Sequence, residues 1–90
     1  MSMALIDLTK KLVLSQISAE EFEVQFFRLW KIEGDAGLLA KDSKEISECL
    51  YVVFDLAERY TSHPDRKAYE LDSESLKKEA KLALGNFKFL

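Results

Sequence analysis

The run Ile17-Ser18-Ala19-Glu20-Glu21-Phe22-Glu23-Val24-Gln25-Phe26-Phe27-Arg28-Leu29-Trp30 decides the fold. Its opening is a capping box: the Ser18 side chain can accept from the Glu21 amide while the Glu21 carboxylate reaches back. Ile17 before the cap and Phe22 after it are placed to form a hydrophobic staple. Phe22, Phe26, Leu29 and Trp30 then recur at helical spacing, with Phe27 beside them. The spacing predicts a helix to about Glu33. As the most aromatic element, it is expected at the centre of the core.

Elements of the same kind lie on either side. Leu5, Leu8 and Leu12, widened by Ile6 and Val13, predict a first helix from Ala4 to Ser15, with Lys10 and Lys11 turned to water. Gly34-Asp35-Ala36-Gly37 is expected to stop the aromatic helix. Leu38 and Leu39 are expected to tuck under the connection. Either Asp42 or Ser43 can cap a third helix reaching about Tyr60, with Ile46, Leu50, Val53, Phe54 and Ala57 on one face. Cys49 flanks that face and reads as a small buried hydrophobe. Residues 61–72 form the longest connection. Asp72 or Ser73 then caps a last helix, about Glu74 to Leu84, whose apolar face is Leu76, Ala80, Ala83 and Leu84. Gly85 sits where a C-terminal cap belongs, and Phe87 and Phe89 are expected to fold back onto the bundle.

Four amphipathic helices joined by short or moderate connections imply an all-α, antiparallel up-down-up-down four-helix bundle, one domain spanning residues 1–90. Composition agrees. Hydrophobic residues make up 48% of the chain, enough for a packed globule. Three Gly and one Pro are too few for the many tight turns of a sandwich or barrel.

Charge narrows the function. The net charge is -3, from 13 basic and 16 acidic residues. Such a chain gains nothing from counterion release, which argues against direct nucleic-acid binding and favours a basic protein partner. Residues 55–74 hold six acids against three bases, the densest negative segment, whereas residues 75–90 hold one acid against four bases. The basic residues of that ending are Lys77, Lys78, Lys81 and Lys88.

Reactive chemistry has no pattern to support it. One histidine and one cysteine make no metal site, and no Gly-rich phosphate loop occurs. No basic group is placed to activate Cys49. No cofactor is expected, and the chain reads as a binding protein rather than an enzyme. A single cysteine permits no intrachain disulfide, and no leader pattern or apolar run of ~20 residues occurs. A cytoplasmic location is expected.

An ordered set of short segments carries a resemblance. It comprises Ala57-Glu58-Arg59-Tyr60, Asp65-Arg66, Tyr69-Glu70-Leu71-Asp72, and Leu76-Lys77 with Glu79. Earlier come Ile6-Asp7-Leu8 and Ile17-Ser18-Ala19 before Glu21-Phe22; Asn86-Phe87-Lys88 ends it. Together these resemble the colicin D immunity protein family, including its klebicin D type, over nearly the whole chain and most strongly from Ala57 to Glu79. The resemblance implies an antiparallel four-helix bundle that binds the C-terminal tRNase domain of a cognate bacteriocin at its basic cleft, as a monomer forming a 1:1 complex. In that family acidic side chains stand in for RNA phosphates and cover the toxin's active site.

By position, Glu58 and Asp65 match acidic contact residues of the family, and Glu70 and Asp72 match acids of its motif. Arg59 and His63 complete the expected toxin-binding set. Thr61, Ser62, His63 and Pro64 stand where the family has further acids, which implies a toxin with a different complementary surface. Two other roles remain open on sequence: immunity to a contact-dependent inhibition or other nuclease toxin, and a small helical adaptor or regulator.

Helix position helps to sort the acids. Asp72 and Glu74 open a helix, where capping and the dipole favour negative charge. Glu58 lies in a last turn, where an acid is disfavoured by ~0.3–1 kcal/mol. Asp55 and Arg59 are spaced to pair, leaving Glu58 without a local partner. Tyr60 and Tyr69 flank the loop, as core anchors or as interface aromatics.

Overall fold

The computed structural model describes residues 3–37 and 43–90. Among them are four helices: α1 Met3–Val13, α2 Ala19–Asp35, α3 Lys44–Arg59 and α4 Ser73–Asn86. They form an all-helical bundle, and the described residues include no strand. Leu38, Leu39 and Asp42, to which the sequence assigned a loop and a possible cap, lie outside the described residues.

The apolar stripes fill one core. Leu5, Ile6 and Leu12 of α1 meet Phe22 and Phe26 of α2, Leu50 and Val53 of α3, and Leu76 and Leu84 of α4. α1 packs against each of the other three helices. Between α2 and α3 the filling is aromatic. Phe54 stacks at 4.6 Å on Trp30 and stands edge-on to Phe27 at 5.3 Å, and Tyr51 closes the seam against Trp30 at 5.7 Å. Rings of this size hold two helices apart while excluding water between them, and their tilted and edge-on geometry is the favoured one. Thr9 is fully buried, and its hydroxyl is satisfied by donating to the Leu5 carbonyl at 2.8 Å.

The helix starts follow the capping chemistry. Ser18 Oγ accepts from the Glu21 amide at 3.1 Å, Ser43 Oγ from Ile46 at 3.3 Å, and Asp72 Oδ1 from Ser75 at 2.7 Å. Asp72 rather than Ser73 is therefore the cap of α4. Among the described residues the reciprocal bond from Glu21 back to Ser18 does not form, so only half of the capping box is present.

α2 stops at Asp35, within the Gly34–Gly37 stretch expected to end it, whereas Gly85, expected to cap α4, lies inside that helix, which runs on to Asn86. The left-handed residue comes later in each case: Gly37 at φ 74° after α2, and Lys88 at φ 64° after α4. α1 ends in the same way on Ser15 at φ 59°. At α4 the Lys88 amide reaches Gly85 O at 3.1 Å and the Phe89 amide reaches Leu84 O at 2.8 Å. This pair of bonds is a Schellman closure. It turns the chain so that Phe87 and Phe89 pack on the core, as the sequence suggested. At α1, Ser15 to Leu12 at 3.0 Å and Gln16 to Lys11 at 2.8 Å repeat the pattern. Helix ending here is set by hydrogen bonding and by the apolar residue that must return to the core, and a non-glycine residue tolerates the cost.

That cost is testable. The left-handed conformation disfavours a side chain by roughly 1–2 kcal/mol, offset in part by the greater unfolded freedom of glycine. Lys88→Gly should therefore stabilise the fold by about 0.5–1 kcal/mol in urea denaturation. Gly37→Ala should destabilise it by about 1 kcal/mol, although an added Cβ there meets nothing within 4 Å. Opposite signs for the two variants are the expected result; a neutral Lys88→Gly would show that the α4 end is not strained.

Candidate functional site

α3 ends because its chain turns into a pairing. Tyr60 caps it in an extended conformation, at φ -70° and ψ 137°. There it forms an isolated parallel bridge with Leu71. The Leu71 amide donates to Arg59 O at 2.7 Å, and the Thr61 amide donates to Leu71 O at 3.0 Å. These two bonds close residues 61–70 into a loop whose ends meet. Asp72 then caps α4 directly, so the loop is pinned between two helix termini.

The loop is braced internally as well. Arg59 Nε donates to Tyr69 O at 2.8 Å, and Arg59 Nη1 lies 3.5 Å from Asp55. Arg66 Nη2 donates to Thr61 O at 3.2 Å, and the Lys67 amide donates to Glu70 Oε1 at 2.8 Å. The His63 amide donates to Thr61 Oγ1 at 3.2 Å.

These bonds divide the six expected site residues into two groups. Arg59, Glu70 and Asp72 form the frame: one ties the loop to α3, one accepts a loop amide, and one caps α4. Glu58, His63 and Asp65 are exposed. Among the described residues the carboxylates of Glu58 and Asp65 make no hydrogen bond or ion pair. Glu58 stands beside the α3 carboxyl end, whose carbonyls add partial negative charge. The loop is not uniformly acidic, since Arg66 and Lys67 follow Asp65 in it.

The sequence reading missed one part of this neighbourhood. The Tyr60 hydroxyl donates to Glu20 Oε1 at 2.5 Å, which joins the first turn of α2 to the end of α3. The Tyr60 ring is buried, so it is a core anchor, whereas Tyr69 stands 57% exposed. Burial, then the hydrogen bond and charge of Glu20, push the Tyr60 hydroxyl up to about 12. The same bond, first among its causes, holds the Glu20 carboxyl below its ordinary value. Partial burial and then the charge of Glu20 push the Glu23 carboxyl up. The Ser75 amide, its principal partner, keeps Asp72 low. No spacing rule connects residues forty positions apart. The only signal in the chain was a tyrosine at a helix end and an acid at a helix start.

Cys49 is fully buried in the core, and desolvation pushes its thiol up to about 11. Among the described residues no group of His, Cys, Asp and Glu is placed to hold a metal ion. No described helix is long and apolar enough to cross a membrane. A shallow groove of about 340 Å³ along α2, lined by Gln25, Arg28, Leu29 and Ile32, includes none of the six residues. The loop and the α3 end form an exposed, internally braced surface.

A helical bundle that displays a fixed surface of this kind has the build of a protein-binding protein. The chain belongs to the family described as bacterial self-protective colicin-like immunity, which it matches over residues 1–87. It is thus a colicin-like immunity protein, of a family that acts by binding a cognate toxin. No match was found among curated proteins.

The Tyr60–Glu20 link gives the fold a pH signature. The folded tyrosine keeps its proton to about 12, while the unfolded one loses it near 10. Its stabilising effect is complete below pH ~10 and is lost as pH rises toward 12. On the acid side, Glu20 and Asp72 are lowered, so their contribution is present above the ordinary carboxylate range and fades as pH falls through it. Tyr60→Phe should lower the melting temperature at pH 7 and flatten the alkaline decline. An unchanged alkaline profile in that variant would place the titration elsewhere.

Proposed function

We propose that this chain binds the C-terminal tRNase domain of a cognate colicin-D-like bacteriocin and blocks its active site. The bound form is a 1:1 complex in the bacterial cytoplasm, with no cofactor and no catalytic step of its own. Glu58 and Asp65 enter the basic cleft in the place of RNA phosphates. His63 adds a contact beside them, and Arg59, Glu70 and Asp72 hold the surface that presents them.

The observation that carries this reading is the state of Glu58. It occupies a position that helix electrostatics disfavours, it is exposed, and no group among the described residues neutralises it. A carboxylate kept there against stability is accounted for by a cation that arrives with the partner. The braced loop adds a second point: its geometry is fixed before binding, so little ordering entropy is lost on association.

A neighbouring reading keeps the immunity role and changes the toxin. Thr61 to Pro64, lacking the family's further acids, favours a partner whose cleft is less basic at that edge. The adaptor reading draws little support, because exposed large apolar surface on α4 is confined to Leu82.

Co-expression with candidate toxin domains tests the reading, scored by survival and by intact tRNA anticodon loops. Survival with cleaved nucleic acid of another kind in the unprotected control would favour the second toxin class. No protection against any nuclease domain encoded beside the gene would defeat both. In calorimetry of the purified pair, Glu58→Ala should weaken binding by at least ~2 kcal/mol, and the wild-type affinity should fall as salt is raised. A loss under ~0.5 kcal/mol would remove Glu58 from the centre of the interface.

A further inference from the structure

We infer that Tyr69 is the aromatic anchor of the toxin interface, receiving an arginine or lysine side chain of the partner, and that Arg59 is the residue that positions it. The inference rests on the immunity reading above and adds residues and a contact chemistry to it.

Two tyrosines are largely exposed, Tyr51 at 66% and Tyr69 at 57%. Tyr51 serves the fold, because its ring stands edge-on to Trp30 at the end of the α2–α3 aromatic seam. The Tyr69 ring has no aromatic partner among the described residues. Its backbone is nonetheless among the most tightly held in the loop. Arg59 Nε fixes the Tyr69 carbonyl at 2.8 Å, and the Leu71–Arg59 bond two residues on fixes the chain direction. An exposed ring on a mobile loop would need no explanation. An exposed ring on a backbone braced by a charged side chain is preorganised to meet something.

Its chemistry indicates what that is. The Lys67 ammonium lies 6.0 Å from the ring centroid, at the outer limit of a cation–π contact. The face of the ring thus already receives a cation, loosely, from its own loop. Arg59, which follows Glu58 in the chain, bonds the Tyr69 carbonyl, so the end of α3 and Tyr69 lie side by side along the backbone. A carboxylate without an internal partner and a tyrosine face therefore belong to one patch. A guanidinium or ammonium from a basic cleft gains an ion pair from the first and a stacking contact from the second. Tyrosine also supplies a large contact area at low rotamer cost, which is why it recurs among the few residues that dominate interfaces.

The test uses the whole chain and the C-terminal domain of the toxin encoded beside its gene, with affinity and dissociation rate read by surface plasmon resonance. Tyr69→Ala should weaken binding more than about tenfold, whereas Tyr69→Phe, which keeps the ring face, and Tyr51→Ala should each stay within about threefold. Arg59→Gln should speed dissociation while leaving helical content and the melting temperature close to wild type, because Arg59 acts through the loop. A smaller loss for Tyr69→Ala, or an equal loss for Tyr51→Ala, overturns the inference while the immunity reading stands. If the wild-type chain fails to bind the domain at all, the immunity reading itself falls, and the anchor with it.

Discussion

Two backbone hydrogen bonds, from Leu71 to Arg59 and from Thr61 to Leu71, determine where α3 stops, where α4 starts and how the loop between them is held. A connection of this length without internal structure would be mobile and would lose much conformational entropy on binding. Closing its ends converts it into a short stem with a tip. Every other brace in the loop depends on that closure. Arg59 reaches the Tyr69 carbonyl only because residues 59 and 71 are already adjacent, and Asp72 caps α4 from the position that the bridge assigns to it.

The closure also divides the charge of the segment by use. Six acids between residues 55 and 74 read from sequence as one negative block. In the fold they are not equivalent. Asp55 pairs with Arg59, Glu70 accepts a loop amide, and Asp72 caps a helix. Those carboxylates are engaged in local structure, and their negative charge is partly answered where it stands. Glu74 stands in the first turn of α4, where the helix dipole favours it, and Glu58 and Asp65 are left outward. The negative charge left free for the proposed basic partner is therefore confined to a few positions and is not measured by net charge. Glu20 and Glu23, brought alongside by the Tyr60 hydroxyl, add to the negative field from a helix that the sequence places forty residues away.

Legibility from sequence followed the range of the interaction. The stripes of α1 to α4 were readable because helical periodicity is local, and so was the cap at Ser18, while the cap of α4 was narrowed to Asp72 or Ser73. The Gly34–Gly37 stretch does end α2, with Gly37 left-handed, but the glycine rule failed at Gly85 because it treats the residue as the signal. The actual determinant is the pair of late hydrogen bonds that returns Phe87 and Phe89 to the core, and Lys88 occupies the left-handed position despite its side chain. The Tyr60–Leu71 bridge was invisible, since a single paired residue leaves no alternating pattern. Helix-end electrostatics did separate Glu58 from Asp72 in advance. It could not show that Arg59 and Glu70 belong to the frame, because their partners are backbone atoms contributed by the loop's tertiary shape.

The departure at Thr61 to Pro64 takes on a different meaning once the frame is known. Thr61 is part of the stem: its amide donates to Leu71, its carbonyl accepts from Arg66, and its hydroxyl accepts from the His63 amide. Its side chain is therefore engaged by the loop itself. Ser62, His63 and Pro64 are exposed, and the stem bonds at Tyr60, Thr61 and Leu71 make no use of their side chains. A stem fixed by backbone and a tip set by side chains can change partners without losing the fold, because substitutions at the tip leave the stem's hydrogen bonds intact. In the proposed complex, specificity among related toxins lies at these exposed tip positions, and affinity at Glu58 and Tyr69 beside the braced stem.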